Sequence, residues 1–389
     1  MESTARSRND LAFVGLLGAL SMLAPLGIDV SLPGLPTIAR ALHASGGSLQ
    51  ATLSVFVFAF GAGQLVLGPL SDRYGRRPVL LAGLALFALA GAVCTFATDV
   101  RVLLAARFVQ GLGACAGSVI ARAIVQDVAT DRARAASLQS YISAVSSLAP
   151  ILAPLIGSAV LVLWGWRALY GVVLAAGLAL IVAVTFGLRE TAPRASRRIG
   201  EAYARVLRLP RTIPLAALVA CQFGAYFALI SGSPFALVEQ MHVPSGLYAL
   251  AFALNACALL AGSFGGGRVA HRVGPERLFA FGVALSLVAG IAVCALDALV
   301  PTPVVFVAGF AFVAFAFGIA FPGAFAAGLA EAKGDAGVAS GILGASQMLG
   351  GAIGSAATGL LPFAPSAAVG TVVLVGTAGC AVAYLASRK

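Results

Sequence analysis

Long hydrophobic stretches recur along the whole chain, separated by short breaks rich in charged residues, proline or glycine. An α-helix rises about 1.5 Å per residue, so roughly 20 residues cross a hydrocarbon layer of about 30 Å. Twelve stretches meet this length: 11–39, 47–70, 78–97, 101–126, 135–162, 166–188, 212–238, 246–270, 276–297, 302–330, 336–361 and 366–386. The short, strictly alternating strands of a membrane β-barrel are absent. The pattern predicts an all-α membrane protein with twelve transmembrane helices.

The composition is typical of an integral membrane protein. Charged residues make up 10% of the chain and hydrophobic residues 60%, whereas a soluble domain carries about 25% charged residues. The first stretch follows Arg6 and Arg8 as a signal peptide would, but it is long and holds Pro25 and Asp29. We therefore interpret it as a retained helix.

The positive charge of the chain is distributed as membrane topology requires. With twelve spans and a cytoplasmic N-terminus, 20 of the 25 Lys and Arg residues fall inside and three fall outside. Such a bias sets orientation in membranes. It explains the net charge of +11 without nucleic acid as a partner. It predicts a multi-pass protein with both termini in the cytoplasm.

The chain divides near its middle. The polar segment 189–211 carries seven arginines, which predicts a six-helix bundle 1–188, a cytoplasmic linker 189–211 and a second six-helix bundle 212–389. An internal repeat supports two related halves, because "GPLSDRYGRRPVL" from Gly68 aligns with "GRVAHRVGPERLF" from Gly267. Parallel repeats of this kind are typical of secondary transporters.

Asp29 and Arg107 lie deep inside predicted spans. A lone charge in the membrane is costly and by default marks a functional site; the alternative is a fixed structural salt bridge. Asp29 lies about 6 Å and Arg107 about 9 Å outward of the centre of its stretch. They could share one level of a cavity, where a change in their separation would alter proton affinity. We expect Asp29 and Arg107 to couple transport to protons.

The turn from Gly68 to Leu80 places four charges in six positions. It could be a plain topology-setting turn, in which Gly75 adopts a positive φ and Pro78 begins the next helix. Neither feature explains Asp72, so we expect a latch that reaches Asp127 and the start of span eleven near Asp335. The latch residues are Gly68, Asp72, Arg73, Gly75, Arg76, Arg77 and Asp127.

The fifth stretch carries Pro150, Pro154 and Gly157 at close spacing. Proline is tolerated in membrane helices where neighbours satisfy the freed backbone groups. The spacing is compatible with a simple kink or with a bent seam of small residues that seals in one state and opens in another.

Polar groups in the second half are neutral and few. Each is compatible with a helix–helix hydrogen bond or with a ligand contact, and together they suit an apolar substrate cavity with polar anchors. The expected cavity residues are the polar Gln222, Tyr226, Asn255 and Gln347, with the aromatic Phe223 beside them. We find no phosphate-binding loop, no Ser/His/Asp set and no spacing typical of a metal site. We expect no enzyme activity and no cofactor, with energy supplied by the proton gradient.

These motifs resemble those of a known family. The turn G-x-x-S-D-R-x-G-R-R resembles the signature loop of the major facilitator superfamily, and "RFVQGLGACAGSVIARAIVQD" resembles its span-four motif in proton-driven drug antiporters. "IDVSLPGLP", "APILAPLIGS" and "GWRALY" resemble the Bcr/CflA drug-resistance branch. The chain departs from that branch at Ser31, where an aromatic residue is usual, and at Gln126, where an arginine is common.

The resemblance implies the major facilitator fold and export of a small amphiphilic drug in exchange for protons by alternating access. It also implies a latch that stabilises the outward-open state, and antiport through the proline seam. We expect a monomer in the bacterial inner membrane. The alternative is a proton-coupled transporter of a metabolite or nutrient on the same fold, although His271 and Pro275 weaken the second arginine-rich loop that a sugar porter would repeat. A third reading, a receptor or scaffold, does not explain Asp29 and Arg107.

Overall fold

The computed structural model describes residues 2–129, 131–191, 199–332 and 336–388. Within these ranges the secondary structure is helical, with no β-strand. The helices are α1 Glu2–Asp29, α2 Leu35–Ala41, α3 Gly46–Tyr74, α4 Arg76–Thr95, α5 Val100–Val128, α6 Arg132–Ser146, α7 Ala149–Trp164, α8 Trp166–Gly187, α9 Ile199–Leu207, α10 Thr212–Pro234, α11 Ser245–Val273, α12 Pro275–Leu299, α13 Pro303–Glu331, α14 Ala336–Leu360 and α15 Pro365–Ala386. The all-α prediction is confirmed.

Eleven helical segments in the described residues are long and apolar enough to cross a bilayer. They coincide with eleven of the twelve predicted stretches. The twelfth, 336–361, forms α14, whose 25 residues span about 37 Å. Its seven glycines and Gln347 lower its hydropathy but not its reach. The chain is a multi-pass membrane protein with a twelve-span helical fold.

The chain groups into two compact units. Unit 1 comprises Met1–Ser31 and Ala62–Arg197, and unit 2 comprises Leu32–Gly61 and Arg198–Lys389. The bundle boundaries at 188 and 211 stay a prediction. Part of the expected linker is helical, because α9 lies within it. Val206 of α9 is buried in a cluster with Ala332, Ala339 and Ile342 of unit 2.

Unit 1 is held together by close helix packing. In it α4 packs against α5 and α8, and α1 packs against α5, α6 and α7. The α4–α5 contact is close because glycines face it: a Cβ on Gly113 would lie 2.6 Å from the amide nitrogen of Phe87. Small residues at such crossings let helix backbones approach. This packing fixes the position of α5, which carries Arg107.

Two predicted spans, 11–39 and 135–162, are interrupted. The helix α1 ends at Asp29, and a 3₁₀ turn, Leu32–Gly34, leads into α2. The fifth span is divided into α6 and α7 by a turn at Ser147 and Leu148. Pro33 lies within the first break and Pro150 just after the second, and proline lacks the N–H needed to continue a helix.

In unit 2, α10 packs against α13, α14 and α15. Glycine again permits the approach, because a Cβ on Gly224 of α10 would lie 2.8 Å from the carbonyl oxygen of Gly350 in α14. After Pro234 the chain of α10 widens into a π-helical turn, Phe235–Gln240. The residues expected to line a cavity therefore lie on tightly packed helices.

The internal repeat has the same backbone shape in both copies. Gly75 precedes α4 with φ 102° and ψ 148°, and Gly274 precedes α12 with φ 89° and ψ 143°. Side chains other than hydrogen strongly disfavour such positive φ values. Glycine at these aligned positions lets each chain turn directly from one span into the next.

Candidate functional site

Asp29 lies buried at the break in the first span. Asp29 is the last residue of α1 and is 5% exposed. Beyond it, the Ser31 hydroxyl donates a hydrogen bond to the carbonyl of Ile28 at 2.8 Å. No described residue forms an ion pair with the Asp29 carboxylate. A discontinuous helix that presents a buried ionisable group is a common way to build an ion site in a transporter.

Arg107 lies fully buried on α5 and contacts the same part of α1. Its Nη1 donates to the carbonyl of Gly27 at 2.8 Å and to Oε1 of Gln110 at 2.6 Å. Its Cζ lies 5.9 Å from the ring centre of Tyr170. The guanidinium is thus fixed between α1, its own helix and an aromatic face of α8, a favourable place for a cation.

The structure brings Arg107 to the α1 backbone two residues before Asp29. Burial disfavours the charged form of a carboxyl group, and a nearby positive charge favours it. Asp29 and the backbone contact of Arg107 lie within one turn of α1. Tyr170 was not selected from the sequence as a functional residue; its place within the "GWRALY" motif is the signal that could have found it.

The proline seam packs against the residue that follows Asp29. A Cβ added to Gly157 would clash with the carbonyl oxygen of Val30, so only glycine permits this approach. Pro154 is buried inside α7, and Pro150 is half-buried in its first turn. Position 157 therefore links α7 directly to the backbone at the α1 break.

The signature turn contains a charged network centred on Arg76. Nε of Arg76 donates to Oδ2 of Asp127 at 2.9 Å and Nη2 donates to Oδ1 at 3.4 Å. Nη1 pairs with Asp72 and donates to Ser71 Oγ at 2.7 Å. The side chains of Arg76 and Asp127 are each 8% exposed, whereas that of Asp72 is 42% exposed. The bidentate pair with Asp127 is the shielded, geometrically specific one.

Glu190 and Thr191 extend this network, and the sequence reasoning missed both. The Glu190 carboxylate accepts hydrogen bonds from the backbone N–H groups of Arg76 at 2.8 Å and Arg77 at 3.2 Å. It thereby caps the start of α4, where a negative charge is stabilising. Thr191 Oγ1 donates to Asp127 at 3.2 Å. An acid directly after the sixth span, among arginines, was the available signal.

The remaining latch residues have separate contacts. Arg77 donates to the carbonyl of Thr185 at 2.8 Å, and exposed Arg73 lies with its Cζ 5.3 Å from the Tyr74 ring. A Cβ on Gly68 would meet only Val119, at 3.9 Å, so this glycine makes no close approach among the described residues. Asp335, the expected partner at span eleven, lies outside the described residues.

The candidate cavity residues of unit 2 form an aromatic cluster with neutral polar groups. The Asn255 amide donates to the Tyr226 hydroxyl at 3.0 Å, and the Tyr226 ring stacks on Phe317 at 4.7 Å. Phe223 packs near Tyr226 with ring centres 6.5 Å apart. Gln222 is 2% exposed on the same helix, while Gln347 is half-buried on α14. Phe317 was not predicted from the sequence.

Comparison with known proteins agrees with this architecture. A profile of the Major Facilitator Superfamily matches residues 17–355. The chain is 35% identical over 294 residues to the "Uncharacterized MFS-type transporter YdgK" of Bacillus subtilis (strain 168), covering 74% of this chain and 72% of that protein. It is 33% identical over 341 residues to the "Multidrug resistance protein MdtL" of Escherichia coli O45:K1 (strain S88 / ExPEC), covering 86% of this chain and 85% of that protein.

Solved structures share the fold. A bacterial homologue of the human lysosomal transporter Spinster, inward-facing and occupied, aligns with a TM-score of 0.79 at 18% identity, over 98% of this chain and 97% of that one. A D-xylose-proton symporter aligns with a TM-score of 0.77 at 15% identity, over 97% of each chain. The matched profile, the curated relatives and the twelve-span fold together identify this chain as a transporter, not an enzyme, that belongs to the major facilitator superfamily.

Proposed function

We propose that this protein exports small amphiphilic drugs in exchange for protons by alternating access. The observation that carries the proposal is the buried Asp29 carboxyl at the α1 break, with Arg107 bound to the backbone of Gly27 two residues earlier. A fixed structural salt bridge would pair the two side chains directly. A carboxyl that the arginine approaches through backbone instead is suited to gaining and losing a proton.

In this mechanism Asp29 carries the proton and Arg107 adjusts its proton affinity. When the site faces the cytoplasm, the drug enters and favours the deprotonated carboxylate. When the site faces outside, the drug leaves and a proton binds. Because an arginine charge stabilises a carboxylate over its protonated form, a conformational change that moves α5 relative to α1 changes the proton affinity of Asp29.

Drug export is supported by the relative named "Multidrug resistance protein MdtL", at 33% identity over most of both chains. The glycine–proline seam of α7 supports exchange, because Gly157 contacts Val30 directly after Asp29. Movement of α7 therefore acts on the backbone beside the proton site. We assign the seam Pro150, Pro154 and Gly157 to the transition between states.

We place drug recognition in the second bundle, 212–389, with the proton site in the first, 1–188, and 189–211 as the linker. Tyr226, Asn255, Gln222, Phe223 and Gln347 offer ring faces and neutral hydrogen-bonding groups. Stacking of Tyr226 on Phe317 provides a flat apolar wall, and few polar groups suffice to orient a ligand in such a site.

The Arg76 network acts as a latch for the outward-open state. Its buried pair with Asp127 holds α4 to α5, its pair with Asp72 holds α4 to α3, and Glu190 caps the start of α4. Completion of the latch would come from the start of span eleven. The protein works as a monomer in the bacterial inner membrane, with both termini in the cytoplasm and the proton gradient as its energy source.

A susceptibility panel tests the proposal. An efflux-deficient bacterial host expressing the protein should tolerate higher concentrations of at least one amphiphilic antibiotic than the empty host. Asp29→Asn should abolish that tolerance. Asp99→Asn is the matched control, because Asp99 is exposed and its capping contact with the Arg101 N–H is one that asparagine also makes. A wild-type protein that protects against no drug but takes up a metabolite with protons would favour the alternative function.

A further inference from the structure

An apolar groove of about 530 Å³ runs between α3 and α4 in unit 1. One face of each helix lines it, with Val66, Leu70 and Tyr74 on α3 and Pro78, Ala82 and Leu86 on α4. The volume is within the range of sites that hold one small ligand. We call this feature the α3–α4 groove.

The groove exists because two alanines leave space between larger apolar side chains. Ala62 on α3 and Ala82 on α4 are exposed and line it, whereas a Cβ on the neighbouring Gly63 or Gly83 would meet Cys115 or Ala116 of α5. Four-residue spacing puts the groove residues 62, 66, 70 and 74 on one face of α3 and 78, 82 and 86 on one face of α4. Val66 is 59% and Tyr74 58% exposed, so the groove is open-sided, and in a membrane protein an open apolar surface faces lipid.

The groove ends at the charged signature turn. Tyr74 is the last residue of α3, and from Pro78 to Leu86 the groove extends about 12 Å along α4. It therefore runs from the polar boundary into the hydrocarbon layer. This direction and depth suit the first part of a phospholipid acyl chain, whose headgroup would lie at the turn.

A positive charge stands at that end of the groove. Arg73 is exposed, and its guanidinium lies over the Tyr74 ring. Arg76 is engaged with Asp72 and Asp127, and Arg77 with Thr185. Among the described residues no carboxylate pairs with Arg73, so its charge remains available to an anionic headgroup. A tyrosine ring at this depth is typical of the membrane interface.

We propose that the α3–α4 groove binds one anionic phospholipid of the cytoplasmic leaflet, with an acyl chain in the groove and the phosphate against Arg73. The inference goes beyond drug export and depends only on the proposed membrane orientation. Basic pockets between spans on the cytoplasmic side bind anionic headgroups in other membrane proteins. Bound lipid would fill the space between α3 and α4 next to the latch.

Native mass spectrometry of the purified protein tests this binding, with phosphatidylglycerol and phosphatidylethanolamine as separate probes. Wild type should retain one phosphatidylglycerol and prefer it to phosphatidylethanolamine. Arg73→Gln should weaken phosphatidylglycerol binding about five-fold, the effect of one arginine near an anionic surface, and leave phosphatidylethanolamine unchanged. Ala82→Phe should fill the groove and weaken binding of both lipids.

Matched controls separate the groove from the general lipid surface. Arg268→Gln changes an exposed arginine of unit 2, and Leu89→Phe enlarges an exposed residue of α4 outside the groove; both should bind as wild type. If Ala82→Phe does not fold, Ala62→Phe on the opposite wall replaces it. Unchanged lipid preference in Arg73→Gln, or unchanged binding in the groove-filling variant, overturns the proposal. The assay measures lipid binding and not transport, so its result holds even if the protein does not export drugs.

Discussion

Arg107 binds the backbone of the first span at Gly27, through a hydrogen bond of 2.8 Å from Nη1 to the carbonyl oxygen. The contact lies two residues before the buried Asp29 and directly before the end of α1. Gln110 accepts a second hydrogen bond from the same nitrogen. The Arg107 guanidinium is thus held near the helix break by contacts with α1, α5 and α8.

Replacement of Arg107 tests that geometry. Arg107→Ala should reduce the initial rate of drug efflux to near background, because Asp29 loses the charge that favours proton release. Arg107→Lys keeps the charge but not the planar set of donors, and we expect an intermediate rate. Drug uptake into everted membrane vesicles, whose outer face is the cytoplasmic one, provides the measurement. Substitution of the exposed Arg167 by alanine is the control. Wild-type drug transport by Arg107→Ala would contradict the assignment of Arg107 to proton coupling.

The two acids of the latch should differ in their effect on stability. Asp127→Asn removes the buried partner of Arg76, and breaking a buried pair costs about 3–5 kcal/mol. Asp72 is half-exposed, so Asp72→Asn should cost about 0–1 kcal/mol. Thermal unfolding of the purified variants should therefore give a clearly lower Tm for Asp127→Asn.

Both latch variants should also transport more slowly than wild type, at equal membrane insertion, because the orienting arginines remain. Transport by Asp72→Asn at the wild-type rate would mean that the signature turn only sets membrane orientation and is not a latch. Equal Tm values for the two variants would contradict the ranking by burial.

The Gly157 contact with Val30 is sensitive to a single methyl group. Gly157→Ala would drive a Cβ into the Val30 carbonyl, and overpacking of this kind costs about 1–3 kcal/mol. We expect lower Tm and impaired efflux. Gly171→Ala on α8 is the matched control, since a Cβ there meets nothing within 4 Å. Equal loss in both variants would mean that the effect is general helix destabilisation.

Much of the fold could be predicted from the sequence because membrane spans depend on length and apolarity alone. The turn geometry at Gly75 and Gly274 also follows from sequence, since only glycine readily adopts such φ values. The break at Asp29 could not be located, because the apolar pattern continues through Val30 and Leu32. Glu190 was missed for another reason: its partners are backbone N–H groups of a distant helix, which leave no complementary residue in the sequence.

Removal of the hydrogen bond between Tyr226 and Asn255 tests whether the second bundle binds the drug. Tyr226→Phe keeps the ring that stacks on Phe317 but leaves the Asn255 amide without its acceptor, at a cost of about 1–3 kcal/mol. We expect weaker drug binding by the purified protein as well as a lower Tm. Tyr141→Phe, at a 59% exposed position, should change neither. A lower Tm with unchanged drug Kd would assign the pair to helix packing alone.

Drug-driven proton exchange by reconstituted protein tests the central claim most directly. Proteoliposomes with an imposed pH gradient report drug accumulation and drug-induced proton release together. Wild type and Asp99→Asn should accumulate drug against its gradient and release protons. Asp29→Asn mimics the protonated carboxyl permanently, so it should bind drug yet lose both uphill transport and drug-induced proton release. Accumulation by Asp29→Asn at the wild-type rate, with the wild-type pH dependence, would contradict Asp29 as the proton site.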